Sequence, residues 1–120
     1  YNIEQLQNGA ASLRFAAQQS PDILCLQESH ASTHVADPVP RVRRIFPRWN
    51  ATRYGELVTL TRHKVLRHAI HRLPTRVGSG ILETVILVRG RPLTVFNVHF
   101  NIPINGLSGL RPSVMHETAV

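Results

Sequence analysis

The sequence predicts an α/β fold, and three features carry that expectation. Ile23-Leu24-Cys25-Leu26 are four consecutive apolar residues stopped by Pro21, which reads as a short strand buried on both faces. Two longer apolar segments, 81–88 and 93–100, flank Arg89-Gly90-Arg91-Pro92, a hairpin-like turn. Leu6, Ala10, Leu13 and Ala17 recur at helical spacing and mark one face of a helix over 9–19.

Asn8 suits the N-cap of that helix and Pro21 ends it, while Phe15 falls on the side away from the apolar face. Segment 29–47 has no usable periodicity and reads as a loop with a short helix around 39–46. Leu57–Thr61 reads as a strand, with Gly55 before it suited to a turn or a close backbone approach. Segment 65–73, with His68 and His71 among arginines, has the charged gatekeepers of an edge strand. Segments 81–88 and 93–100 are expected to be central. Pro112 suits the first turn of a helix in the final segment. The strands 23–26, 57–61, 81–88 and 93–100 are expected to lie mostly in one sheet, covered by the 9–19 helix.

The chain has 120 residues with 42% hydrophobic, enough to bury a core within one domain or part of one. It starts at Tyr1 rather than Met and stops in a helix-like stretch, so it reads as part of a longer protein, truncated at both ends. Fourteen Lys and Arg stand against seven Asp and Glu, giving +7, and Lys64 is the only lysine. Guanidinium forks match phosphate geometry, so an arginine surplus points to phosphate-bearing partners, although a codon bias gives the same count. Cys25 alone excludes an internal disulfide and suits a small core position. No apolar run approaches the ~20 residues needed to span a bilayer and no signal peptide is visible. That favours the cytoplasm slightly and leaves secretion open.

Glu28 ends the first apolar run, at the sheet edge where open α/β folds keep their ligands. In 93–100 the period of two sets Leu93, Val95, Asn97 and His99 on one face, so Asn97 and His99 are expected to share a cleft. His30-x-x-x-His34 and His68-x-x-His71 lack the cysteine partners and local structure of a zinc site.

Four stretches in order, Tyr1-Asn2-Ile3, Pro21-Asp22-Ile23-Leu24-Cys25-Leu26-Gln27-Glu28, Gly55 through Arg62, and Val95-Phe96-Asn97-Val98-His99-Phe100, resemble successive motifs of the endonuclease/exonuclease/phosphatase superfamily. The resemblance covers the first part of the family pattern. The later Gly-Asp-x-Asn motif and the terminal Asp-His pair are absent from these residues. It implies part of a four-layer α/β sandwich, two packed mixed β-sheets flanked by helices, with residues 1–120 as the N-terminal part of one domain and the second sheet left to the missing half. It implies metal-dependent hydrolysis of phosphate esters, with Mg²⁺ or Mn²⁺ as cofactor.

By the same resemblance Glu28 is the metal-binding glutamate, Asn2 lies by the metal and places it or its waters, and His99 contacts the scissile phosphate. Asn97 and Arg62 are substrate-binding candidates. Glu4, Asp22, Asp37, Glu56, Glu83 and Glu117 do not supply the absent Gly-Asp-x-Asn or Asp-His motif. Asn2, Glu28 and His99 are expected to meet at one end of the sheet. The motifs are shared by nucleases and by lipid and sugar phosphodiesterases; the arginine surplus leans toward nucleic acid. The alternative is a noncatalytic basic module that binds nucleic acid or a partner, and Arg41, Arg43, Arg44 and Arg48 cluster where such contacts would fall.

Overall fold

In a computed structural model of the chain, residues 10–29, 37–74 and 80–100 are described. Their elements run α1 (Ala11–Gln18), β1 (Ile23–Leu26), α2 (Val39–Arg43), β2 (Asn50–Tyr54), β3 (Leu57–Thr61), β4 (Lys64–Arg72), β5 (Gly80–Val88) and β6 (Arg91–Val98). The strands form two three-stranded sheets in the orders β1-β3-β2 and β4-β5-β6, and every pairing is antiparallel. The α/β class holds. The expectation of mostly one sheet does not, and neither sheet is mixed among the described strands. The chain leaves β3 through Arg62-His63 and enters β4 of the other sheet, so both sheets lie within these residues. Hydrophobic pattern assigns strands but not the sheet they join.

β3 is buried along its whole length because it lies between two strands and between two layers. On one face its Val58 and Leu60 pack with Leu26 against Leu13 of α1 and Val42 and Phe46 of the α2 segment. Burying such side chains contributes about 1.5–3 kcal/mol each. Leu13 and Ala17 turn inward as the helical spacing requires, and Phe15 is 55% exposed. Asn8, Gly9, segment 101–120 and the His30/His34 pair lie outside the described residues.

On its other face β3 meets the second sheet across a polar layer. Register places Cys25, Thr59 and Thr52 side by side on the first sheet. The Thr52 and Thr84 hydroxyls bond at 2.7 Å between the sheets. Burial pushes the Cys25 thiol up, with a Thr59 hydrogen bond acting the other way.

Among the described strands β4 is an edge, as its charged pattern indicates, β5 is the centre of its sheet, and β6, expected to be central, is the opposite edge. The β5–β6 hairpin turns at Arg89 and Gly90, with φ of 50° and 75°, the left-handed conformations of a tight hairpin. Gly80 opens β5 where a Cβ would stand 2.5 Å from Tyr54 Cε1, so the missing side chain lets the Tyr54 ring sit against the backbone. β2 has no sequence signature: Asn-Ala-Thr-Arg-Tyr is neither apolar nor alternating, and pairing with β3 defines it.

Candidate functional site

The carboxyl ends of β1 and β6 and the amino end of β3 converge on one edge of the two-sheet stack. Antiparallel pairing puts Leu26, the last residue of β1, opposite Val58. The β2–β3 turn, Gly55-Glu56, therefore lies beside Gln27-Glu28-Ser29. Gly55 has φ of 54°, the turn conformation its position calls for.

Glu28 has φ of 55°, unusual for a residue with a side chain and costing about 1–2 kcal/mol. Hydrogen bonds hold it there. The Glu28 backbone N–H donates to Glu56 Oε2 at 2.8 Å. On the next residue, the Ser29 N–H and hydroxyl both donate to the Glu56 carbonyl, at 3.2 and 2.6 Å. The sharp bend re-aims Glu28 from the strand direction toward the second sheet.

From that sheet comes His99, just past β6. Its Nδ1 lies 2.6 Å from Glu56 Oε1 and its Nε2 3.5 Å from Glu28 Oε1. A carboxylate only accepts, so Nδ1 carries the proton of the short bond and Nε2 is the nitrogen presented toward Glu28. The side chains of His99, Glu28 and Glu56 are 26%, 28% and 23% exposed, half-buried at the rim. The arrangement holds an imidazole between two carboxylates, one orienting it and one across from it.

Asn97 corrects the expectation that it shares the cleft as a substrate ligand. It is 1% exposed, and its Nδ2 donates to the Leu26 and Val58 carbonyls at 3.1 and 3.0 Å. Its Oδ1 accepts from Gln27 Nε2 at 2.7 Å. The amide is thus a brace between β6 and the β1–β3 pair, two residues before His99. The period of two assigned its face correctly; the polar character of that face belongs to the sheet interface.

Arg62 is also displaced from the site. It follows the far end of β3, about 20 Å of extended chain from Glu56 at ~3.3 Å per residue, and its guanidinium sits 5.1 Å from the Trp49 ring centroid. Asn2 lies outside the described residues. Glu56, which lies inside the stretch Gly55 through Arg62 but was given no role there, is the residue that sequence reasoning missed. Its one local signal is a carboxylate just after a turn glycine.

No protein-family model matches the chain. No curated protein sequence matches it either. Among solved structures, SmcL superposes with a TM-score of 0.61 at 15% identity, over 99% of this chain and 54% of SmcL. An endonuclease/exonuclease/phosphatase family protein from Leptotrichia buccalis C-1013-b superposes with a TM-score of 0.54 at 15% identity, over 83% of this chain and 50% of that one. The likeness shows the fold. The chain spans about half the length of these two structures.

Glu56 has one oxygen on the imidazole and the other on the Glu28 amide. Among the described residues no group of three or more His, Cys, Asp or Glu is placed to hold a metal ion. Among them, too, no helix is long and apolar enough to cross a membrane.

Proposed function

We propose that this chain forms part of a metal-dependent phosphoesterase that hydrolyses phosphodiester bonds of nucleic acid. The observation that carries the reading is the convergence of Glu28 and His99, from different sheets, to 3.5 Å, with the other imidazole nitrogen fixed on Glu56. The fold shared with an endonuclease/exonuclease/phosphatase family protein supports it.

Hydrolysis of a phosphodiester places growing negative charge on the phosphoryl oxygens, and hydrogen-bond donors aimed at them lower the barrier. His99 in its protonated form donates from Nε2 to a non-bridging oxygen, while Glu56 holds the ring and balances its positive charge. Mg²⁺ or Mn²⁺, held by Glu28 and by Asn2, would supply charge neutralisation at the phosphate. Asn97 fixes the end of β6 and with it the position of His99. The arginine surplus favours nucleic acid over lipid or sugar phosphates.

The test is hydrolysis of DNA, RNA and bis(p-nitrophenyl) phosphate by the full-length protein with and without Mg²⁺ or Mn²⁺. Hydrolysis is expected only with the cation, and Glu28→Gln, which keeps size but removes charge, is expected to lower the rate by orders of magnitude. Full activity in Glu28→Gln, or hydrolysis in EDTA, overturns the assignment.

A further inference from the structure

Segment 38–49 is wound as one unit beyond the five residues of α2: Arg44, Ile45, Phe46 and Trp49 continue its hydrogen bonds to residues three or four earlier. Val42, Ile45, Phe46 and Trp49 face the core cluster. Arg41 and Arg44, three residues apart, and Arg48 in the turns that follow the helix are all exposed. At about 1.5–2 Å per residue they cover roughly 10–14 Å, about three to four phosphate-to-phosphate steps in one strand of a duplex.

The stripe is not neutralised. Among the described residues, Arg41, Arg44 and Arg48 have no ion-pair partner; Asp37 pairs with Arg53 at 3.5 Å, and Glu28, Glu56 and Glu83 are engaged by histidines or Arg67. Asp22 lies by Arg62 at the far end, where its carbonyl accepts the Arg62 N–H at 3.3 Å. The stripe begins near the site edge, since Arg53 donates to the Gly55 carbonyl at 3.0 Å and reaches Asp37 at the start of the segment. It runs toward Trp49, over whose ring Arg62 extends the charge. Among the described residues the exposed large hydrophobics, Phe15, Leu66, Ile70, Leu93, Phe96 and Phe100, all lie outside this segment. An interfacial membrane helix inserts exposed apolar side chains among its basic ones, and among the described residues this segment has no exposed large hydrophobic.

We propose that Arg41, Arg44 and Arg48 form a track for the phosphate backbone of nucleic acid, outside the hydrolytic edge and leading from it. The track rests on the reading of the chain as part of a nucleic-acid phosphodiesterase and names the surface that would retain the polymer. Its contacts are ionic and independent of base sequence.

Binding of a fluorescein-labelled DNA duplex to the full chain in EDTA, measured by anisotropy across a salt series, tests the track without any hydrolysis. Arg41→Ala/Arg44→Ala/Arg48→Ala is expected to reduce the slope of log K against log salt by about 2 to 3, with an unchanged far-ultraviolet spectrum. Arg89→Ala/Arg91→Ala, at the tip of the other sheet, is expected to bind as the parent does. An unchanged slope in the triple variant, or an equal loss in Arg89→Ala/Arg91→Ala, overturns the track. Capture by phosphatidylserine vesicles that the triple variant abolishes, with no duplex binding, reassigns the stripe to a membrane and overturns it too. Loss of hydrolysis in Glu28→Gln with binding intact bears on the catalytic reading alone.

Discussion

His99 and Glu56, 43 residues apart, share a 2.6 Å hydrogen bond that joins the two sheets at the site edge. Glu56 therefore sets both the tautomer and the angle of the imidazole. In the full-length protein Glu56→Gln is expected to lower kcat by about 10²–10⁴ while KM changes little, the effect of misplacing a proton-donating group rather than of losing substrate contacts. Steady-state kinetics on one oligonucleotide checks this. A rise in KM at constant kcat would make Glu56 a binding residue instead.

Asn97 satisfies two main-chain carbonyls in a layer without water access. Asn97→Ala leaves both without that donor and is expected to cost roughly 2–3 kcal/mol. Asn97→Asp turns a carboxylate oxygen toward those carbonyls at neutral pH and is expected to cost more. Urea unfolding of the three proteins gives the order, and equal midpoints for all three would show that the brace carries no stability.

Glu83 is buried on the outer side of the second sheet, with Arg67 Nη1 at 2.7 Å and His71 Nε2 at 2.6 Å. The His71 hydrogen bond holds its carboxyl below the ordinary range, burial opposes this, and Arg67 adds to the lowering. A depressed folded value means stability present above the unfolded pKa, near 4.3 for a glutamate, and lost as pH falls through the folded value. The stability difference between the parent and Glu83→Gln should thus shrink as pH drops below about 4. Urea midpoints across pH measure it, and a difference that grows on acidification would reverse the sign.

Gly80→Ala sets a methyl 2.5 Å from Tyr54 Cε1 and 3.1 Å from the His71 carbonyl. Displacing the ring is expected to cost about 1–3 kcal/mol. In the Tyr54→Ala background the same change should cost less, since the ring is gone. A double-mutant cycle reads the coupling, and additivity would deny the contact.

The strands legible in the sequence are those whose side chains do the burying. β3 and β5 show as apolar runs because both of their faces are covered. β2 does not, because its place comes from partners: Thr52 looks like a loop residue until Thr84 stands 2.7 Å away. Glu28 and His99 stand out in the sequence because each follows a strong strand, and the structure brings them to 3.5 Å of one another. Glu56 was not, since no local rule ties a turn carboxylate to a histidine on another sheet. Asn97 shows the limit of reading polarity: one pattern describes a residue facing a cleft and a residue facing another sheet, and only tertiary packing separates them.

The polar layer between the sheets gives the molecule a mechanical property. Apolar faces slide over one another at little cost, whereas the Thr52–Thr84 and Asn97–Leu26 bonds have fixed lengths and directions. One sheet carries Glu28 and Glu56, and the other carries His99. Alignment at the rim is thus inherited from a latch in the interior, and slippage of an ångström there would disassemble the Glu28–His99–Glu56 trio while leaving each sheet intact.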